Sequence, residues 1–131
     1  MPQEHETIAR RSIETFNARG VDAALGCFSP DVLVYPLSDW VEASIYRGHD
    51  GLRAVLAVWT ENFDDFEIAA SEFREVGDRV LMLGQTRGRS NGVAMSQPLG
   101  IVFSDFRDGR IGEVRNFASW QQALEAAELA E

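Results

Sequence analysis

Between Glu6 and Arg19 the apolar residues Ile8, Ala9, Ile13 and Phe16 fall at helical spacing, and Gly20 supplies a C-terminal stop. The pattern predicts a first amphipathic helix. Asp22 is placed to cap a short second helix, Ala23 to Phe28, which Pro30 closes. Val32 to Tyr35 reads as a short strand ended by Pro36. Leu37 to Arg47 has no clean period and contains Asp39, Trp40 and Tyr46, so it reads as a loop over a pocket mouth. Gly48-His49-Asp50-Gly51 then introduces the strongest helical pattern of the chain, carried by Leu52, Val55, Leu56, Trp59 and Phe63.

The second half changes period. Phe66 to Val76 and Arg79 to Arg89 are β-rich runs joined by Gly77-Asp78, and Ser90 to Ala94 reads as a loop. From Gln97 to Ser119 two further runs flank Asp108-Gly109, a hairpin signal that sets Arg107 opposite Arg110. Alternation then sorts the side chains. Leu99, Ile101, Phe103, Gly112, Val114 and Asn116 share an uncharged face, as do Val80, Met82, Gly84, Thr86 and Gly88 on the preceding strand. The charged residues Arg87, Arg89, Glu113 and Arg115 take the opposite face. The uncharged face is the interior one, with Asn116 a lone polar group, and glycines 84 and 88 either open a cavity there or permit sharp curvature. Ser119 is placed to cap a last helix containing Trp120, Ala123, Leu124 and Ala127. Helices early and antiparallel strands late give an α+β domain, with helices on one face of a curved sheet.

Composition narrows the function. The 131 residues suit one domain, 1–131, with 1–5 as a flexible N-terminal tail holding His5. A net charge of −9 argues against nucleic acid and anionic membranes, and no apolar run reaches spanning length. With no leader-like N-terminus either, the expected location is cytoplasmic. Cys27, the single cysteine, reads as a small core residue. Two distant histidines, His5 and His49, with no spaced acidic cluster predict no metal site, and nothing calls for a cofactor. Leu81 and Leu83, on the outer face, suggest burial against a second subunit and hence a homodimer through the outer sheet face.

Four segments carry a family resemblance: Gly48-His49-Asp50-Gly51-Leu52-Arg53, Gly77-Asp78-Arg79-Val80, Arg107-Asp108-Gly109-Arg110-Ile111, and Gln122-Ala123-Leu124-Glu125-Ala126-Ala127. In order and spacing the chain resembles the SnoaL-like group of the nuclear-transport-factor-2-like superfamily. The resemblance implies a cone-shaped α+β barrel, with an apolar pocket between the helices and the inner sheet face. Relatives include ketosteroid isomerases, polyketide cyclases and limonene-epoxide-type hydrolases. Of the isomerase residues, the general-base aspartate is matched by Tyr35, the oxyanion-binding tyrosine by Ser12 and the protonated aspartate by Ile101. Of the hydrolase residues, one aspartate is matched by Asn116, and the arginine and second aspartate by Gly84 and Thr86. The aspartate that SnoaL-like relatives often carry at the end of the last strand is matched by Ser119. The usual proton-transfer groups are replaced.

The first functional reading is therefore a domain that binds a small apolar molecule, with Phe16, Tyr35, Trp40, Trp59, Met82, Thr86, Phe103, Val114 and Asn116 as the lining. The second is an isomerase, cyclase or hydrolase in which Tyr35 and Asn116 polarise a substrate while Asp39 or His49 moves a proton. A third is a structural dimerisation domain whose pocket is filled by its own side chains.

Overall fold

A computed structural model describes residues 2–37 and 45–129. The chain runs through α1 (Pro2–Arg19), α2 (Val21–Ala24), a single 3-10 turn, β1 (Phe28–Tyr35), β2 (Tyr46–Arg47), α3 (Gly48–Asn62), β3 (Asp64–Val76), β4 (Arg79–Ser90), β5 (Val93–Ser104), β6 (Ile111–Phe117) and α4 (Trp120–Leu129). One curved, six-stranded sheet in the order β2-β1-β6-β5-β4-β3 forms the α+β architecture. Among the described strands only the β1–β6 pair runs parallel, and their sheet does not close. Among the described residues no helix is long and apolar enough to cross a membrane.

Local chemistry sets the turns. Asp108 and Gly109 both have positive φ, 53° and 74°, as the mirror-image two-residue turn requires, and Arg107 faces Arg110 as expected. Asn91 and Gly92 make the same turn, with φ of 52° and 79°, between paired Ser90 and Val93. That segment is a hairpin and not the loop expected there, and β5 begins four residues before Gln97. Asn-Gly is itself a strong hairpin signal. At the start of the chain, residues 2–5 have helical backbone at the beginning of α1. There His5 stacks on Phe106, with ring centroids 4.2 Å apart.

Two layers of helix cover the sheet. On the inner face α1, α2 and α3 pack Ile13, Phe16, Val55 and Trp59 against Val80, Met82, Leu99, Ile101, Phe103 and Val114. Cys27 packs at the edge of this core, and burial pushes its thiol pKa up, as suits an inert core residue. On the outer face α4 places Ala123 and Ala127 over Leu81, Leu83 and Val102. Leu81 and Leu83 are thus buried by the chain's own last helix, which removes the reason for assigning them to a subunit interface.

The edge strand β3 is also secured within the chain. Asn17 of α1 donates from Nδ2 to the Ile68 carbonyl (2.8 Å) and accepts at Oδ1 from the Ile68 amide (2.9 Å), satisfying backbone groups on the open edge. At the opposite end, Arg107 reaches Asp31 at 3.2 Å and Asp105 at 3.3 Å, while the Ser29 hydroxyl donates to Asp31 at 2.9 Å. The Ser29 hydrogen bond and the Arg107 charge hold the Asp31 carboxyl below its usual pKa.

Glycines 84, 88 and 100 allow close approach. A Cβ on Gly84 would collide with the Ala69 carbonyl oxygen, and one on Gly88 would lie 2.8 Å from Phe63 Cβ. These residues let neighbouring backbone and side chains come close, so they enable curvature rather than open a cavity. A Cβ on Gly100 would collide with Ala123 Cβ, because α4 rests directly on β5 there. Gly100→Ala is expected to destabilise the fold by about 2 kcal/mol through overpacking. Adding Ala123→Gly should restore about 1 kcal/mol relative to the sum of the single changes, read from denaturant titrations of all four proteins. Strict additivity would show that α4 does not sit on β5 this closely.

Candidate functional site

An interior cavity of about 40 Å³ lies between the helices and the inner sheet face. From α1 it receives Ser12, Ile13 and Phe16, and from α3 Leu52, Val55, Leu56 and Trp59. The sheet supplies Val34 of β1, Ile68 of β3, Ile101 and Phe103 of β5, and Val114 and Asn116 of β6. Helical residues four apart and strand residues two apart converge here because both periodicities aim the same faces inward.

Only two lining side chains from the described residues are polar, and both are buried. Ser12 donates its hydroxyl to the Ala9 carbonyl at 2.7 Å, a local bond within α1 that leaves its lone pairs for a donor. Asn116 donates from Nδ2 to the Tyr35 carbonyl at 2.9 Å. That partner is an acceptor only, so it fixes which way the amide points, and the chemistry of the group leaves its oxygen and one N–H for a guest. No ionisable side chain from the described residues lines the cavity.

Phe16, Trp59, Phe103, Val114 and Asn116 line the cavity at the positions expected of them. Met82 is fully buried in the same core but sealed behind the cavity wall. Thr86 lies farther along β4, in a separate recess with Trp59, where the strand has run past the end of the main core. Tyr35 is a correction. Val32 and Val34 are fully buried, so alternation turns Tyr35 to the other face, where its ring sits 4.4 Å below the Arg115 guanidinium. Only its backbone carbonyl serves the site.

His49 is also placed elsewhere. At the start of α3 its Nε2–H donates to the Phe28 carbonyl (3.1 Å), tying that helix to β1. Phe28 lines the cavity and His49 does not. Asp39 and Trp40 lie outside the described residues. Ser119 accepts from the Gln122 amide at 3.1 Å and is the cap of α4. Among the described residues no group of His, Cys, Asp and Glu side chains is arranged to hold a metal ion. Among the lining residues that were not expected from the sequence are Ser12, Val34 and Leu52. Helical spacing from Phe16 would have found Ser12, and alternation would have found Val34.

An inner apolar cavity between helices and a curved sheet is what the resemblance implies, although the sheet here stays open where a barrel would close, and the SnoaL-like domain model matches residues 9–114. The chain belongs to the SnoaL-like domain family. No curated protein matches this SnoaL-like chain by sequence. Among solved structures it resembles a cystatin-like-fold protein of unknown function from Xanthomonas campestris, at 28% identity over 94% of this chain and 96% of that one, with a TM-score of 0.73. It also resembles a protein from Jannaschia sp. CCS1 provisionally named a SnoaL-like polyketide cyclase, at 18% identity over 99% and 94%, with a TM-score of 0.73. TerC, co-crystallised with polyporic acid, is similar at 21% identity over 95% and 98%, with a TM-score of 0.75. Likeness at this level establishes the shared fold and leaves chemistry to the site.

The environment of Asn116 predicts how an acid would behave there. In Asn116→Asp a carboxyl facing the Tyr35 carbonyl must keep its proton to donate, and burial raises its pKa further. The native-state pKa then exceeds the unfolded value of about 3.9, so a penalty grows as pH rises above that value. Thermal melts should show the variant about 2 kcal/mol less stable than the parent at neutral pH and nearer to it in mild acid. A loss independent of pH would mean that the side chain is not held in this way.

Proposed function

We propose that this SnoaL-like domain binds a small, uncharged, largely apolar molecule in the inner cavity. The chemistry of the wall carries this reading: aliphatic and aromatic side chains surround two neutral hydrogen-bonding groups, Ser12 and Asn116. A charged guest would lose its hydration with no counter-charge from the described lining, whereas a carbonyl or hydroxyl could meet the Asn116 amide. The provisional cyclase name of one fold relative and the polyporic acid co-crystallised with TerC support an oxygenated hydrocarbon as the ligand class.

Binding is favoured over catalysis because proton transfer needs an acid or base within hydrogen-bond reach. Among the described lining residues neither a carboxylate nor an imidazole is present, and His49 is engaged with Phe28. A homodimer through the outer sheet face is proposed on the strip that α4 leaves uncovered. That strip is the trough between the half-exposed Trp120 and residues Ser71, Gln85, Ser96 and Pro98.

The neutral fluorescent probe N-phenyl-1-naphthylamine should bind the full chain, and Leu52→Phe, which narrows the cavity, should weaken binding about tenfold. The anionic probe 8-anilinonaphthalene-1-sulfonate should bind about tenfold more weakly than the neutral one. Equal affinity for the two probes, or no response to Leu52→Phe, would remove the basis of this reading. Sedimentation velocity should report a dimer, and a monomer at all concentrations would reject the outer-face interface.

A further inference from the structure

We infer that the inner cavity and an outer recess are two compartments of one ligand site, divided by the stacked Trp59–Phe66 pair, which moves aside when a ligand fills both. The inference rests on the binding reading above. The recess, about 30 Å³, is formed by Trp59, Phe63, Phe66, Thr86, Met95 and Gln97, with Arg87, which lies 3.7 Å from Glu67, also on its border. Trp59 belongs to both walls. Its ring stacks on Phe66 at 5.4 Å and 13°. Phe66 in turn meets Phe16 of the inner cavity edge-on at 6.2 Å and Phe63 of the outer recess at 6.2 Å. Four rings thus make one continuous partition.

Size shows why the partition matters. A cavity of roughly 150 Å³ holds a single benzene ring, and each compartment here has room for only a few water molecules. Neither admits a ring-containing guest while the rings stay stacked. Displacing one aromatic side chain frees that side chain's own volume and joins the two spaces.

Phe66 is the member free to move. The register steps from Asp64↔Arg89 to Glu67↔Arg87, so Asp65 and Phe66 together oppose Gly88 in a β-bulge. Asp65 has a φ of +52°, and Phe66 is only partly buried, whereas Trp59 is buried. A residue outside the regular ladder can turn without breaking strand pairing.

The two ends specify the guest. Ser12 and Asn116 are the polar groups of the inner compartment. At the outer one, Thr86 and Gln97 are register partners on the inward face. All four are neutral hydrogen-bonding groups. The ligand class is an elongated, uncharged, ring-containing molecule with an oxygen function toward each end.

The test uses N-phenyl-1-naphthylamine and the full chain. Phe66→Ala removes part of the partition and should tighten binding about tenfold, while Met95→Trp fills the outer recess and should weaken it about fivefold. Met95 is exposed, so its variant does not threaten the core. Phe66→Leu, expected to change affinity in the same direction, serves if the alanine variant does not fold. Unchanged affinity in the Phe66 variant or in Met95→Trp overturns the two-compartment site. If Leu52→Phe weakens the probe and Met95→Trp does not, the binding reading stands and this inference falls. If the probe binds neither the parent nor the Phe66 variant, both fall.

Discussion

In their paired middle stretches, Val80 to Leu83 of β4 and Leu99 to Phe103 of β5, the strands are apolar on both faces, and each face has to be removed from water. Burial of a large aliphatic side chain is worth roughly 2 kcal/mol, so leaving the outer face of Leu81, Leu83 and Val102 bare would forfeit much of a small domain's stability. The helices therefore divide their work. α1, α2 and α3 cover the inner face, and α4 folds back over the outer one, close enough that Gly100 must lack a side chain. Trp120 anchors this helix by donating from Nε1 to the Gly84 carbonyl at 2.8 Å. That carbonyl sits beside the bulge at Ser71, where the β3–β4 register shifts.

The inner covering leaves space because helices on a curved sheet do not fill it evenly. What remains is apolar, and its few polar groups are tied to backbone. Asn116 shows how local geometry selects residue type: its partner is a carbonyl, which accepts and does not donate, so an amide satisfies it where a carboxylate would face a repulsive oxygen. This position is committed, through one N–H, to holding β6 against β1.

Nearby charge is kept on the outside. Arg115 pairs with Glu113 at 2.8 Å and covers the Tyr35 ring, while Arg87 and Arg89 lie 3.7 and 3.9 Å from Glu67 and Asp65. These exposed pairs add little to stability. Their effect is positional, since alternation keeps the charged residues of β4 and β6 off the face that meets the cavity.

Much of this was legible locally. The inward set Leu99, Ile101, Phe103, Val114 and Asn116 follows from a period of two and one Asp-Gly turn, and α3 follows from its 3.6-residue stripe, because each signal is complete within a few residues. Val32 and Val34 already implied that Tyr35 points outward, and Asn91-Gly92 already implied a hairpin. Other features depended on segments meeting from far along the chain. That α4 and not a second subunit covers Leu81 and Leu83, that Asn17 clasps Ile68, and that His49 ties α3 to β1 are contacts with no sequence period. The bulge at Asp65–Phe66 is likewise visible only once β3 is paired with β4, yet it decides which ring stands between the two spaces. The sequence by itself determined which side chains share a face; the tertiary structure decided what each face meets, because packing partners are chosen by long-range geometry and one inserted residue changes a strand's register.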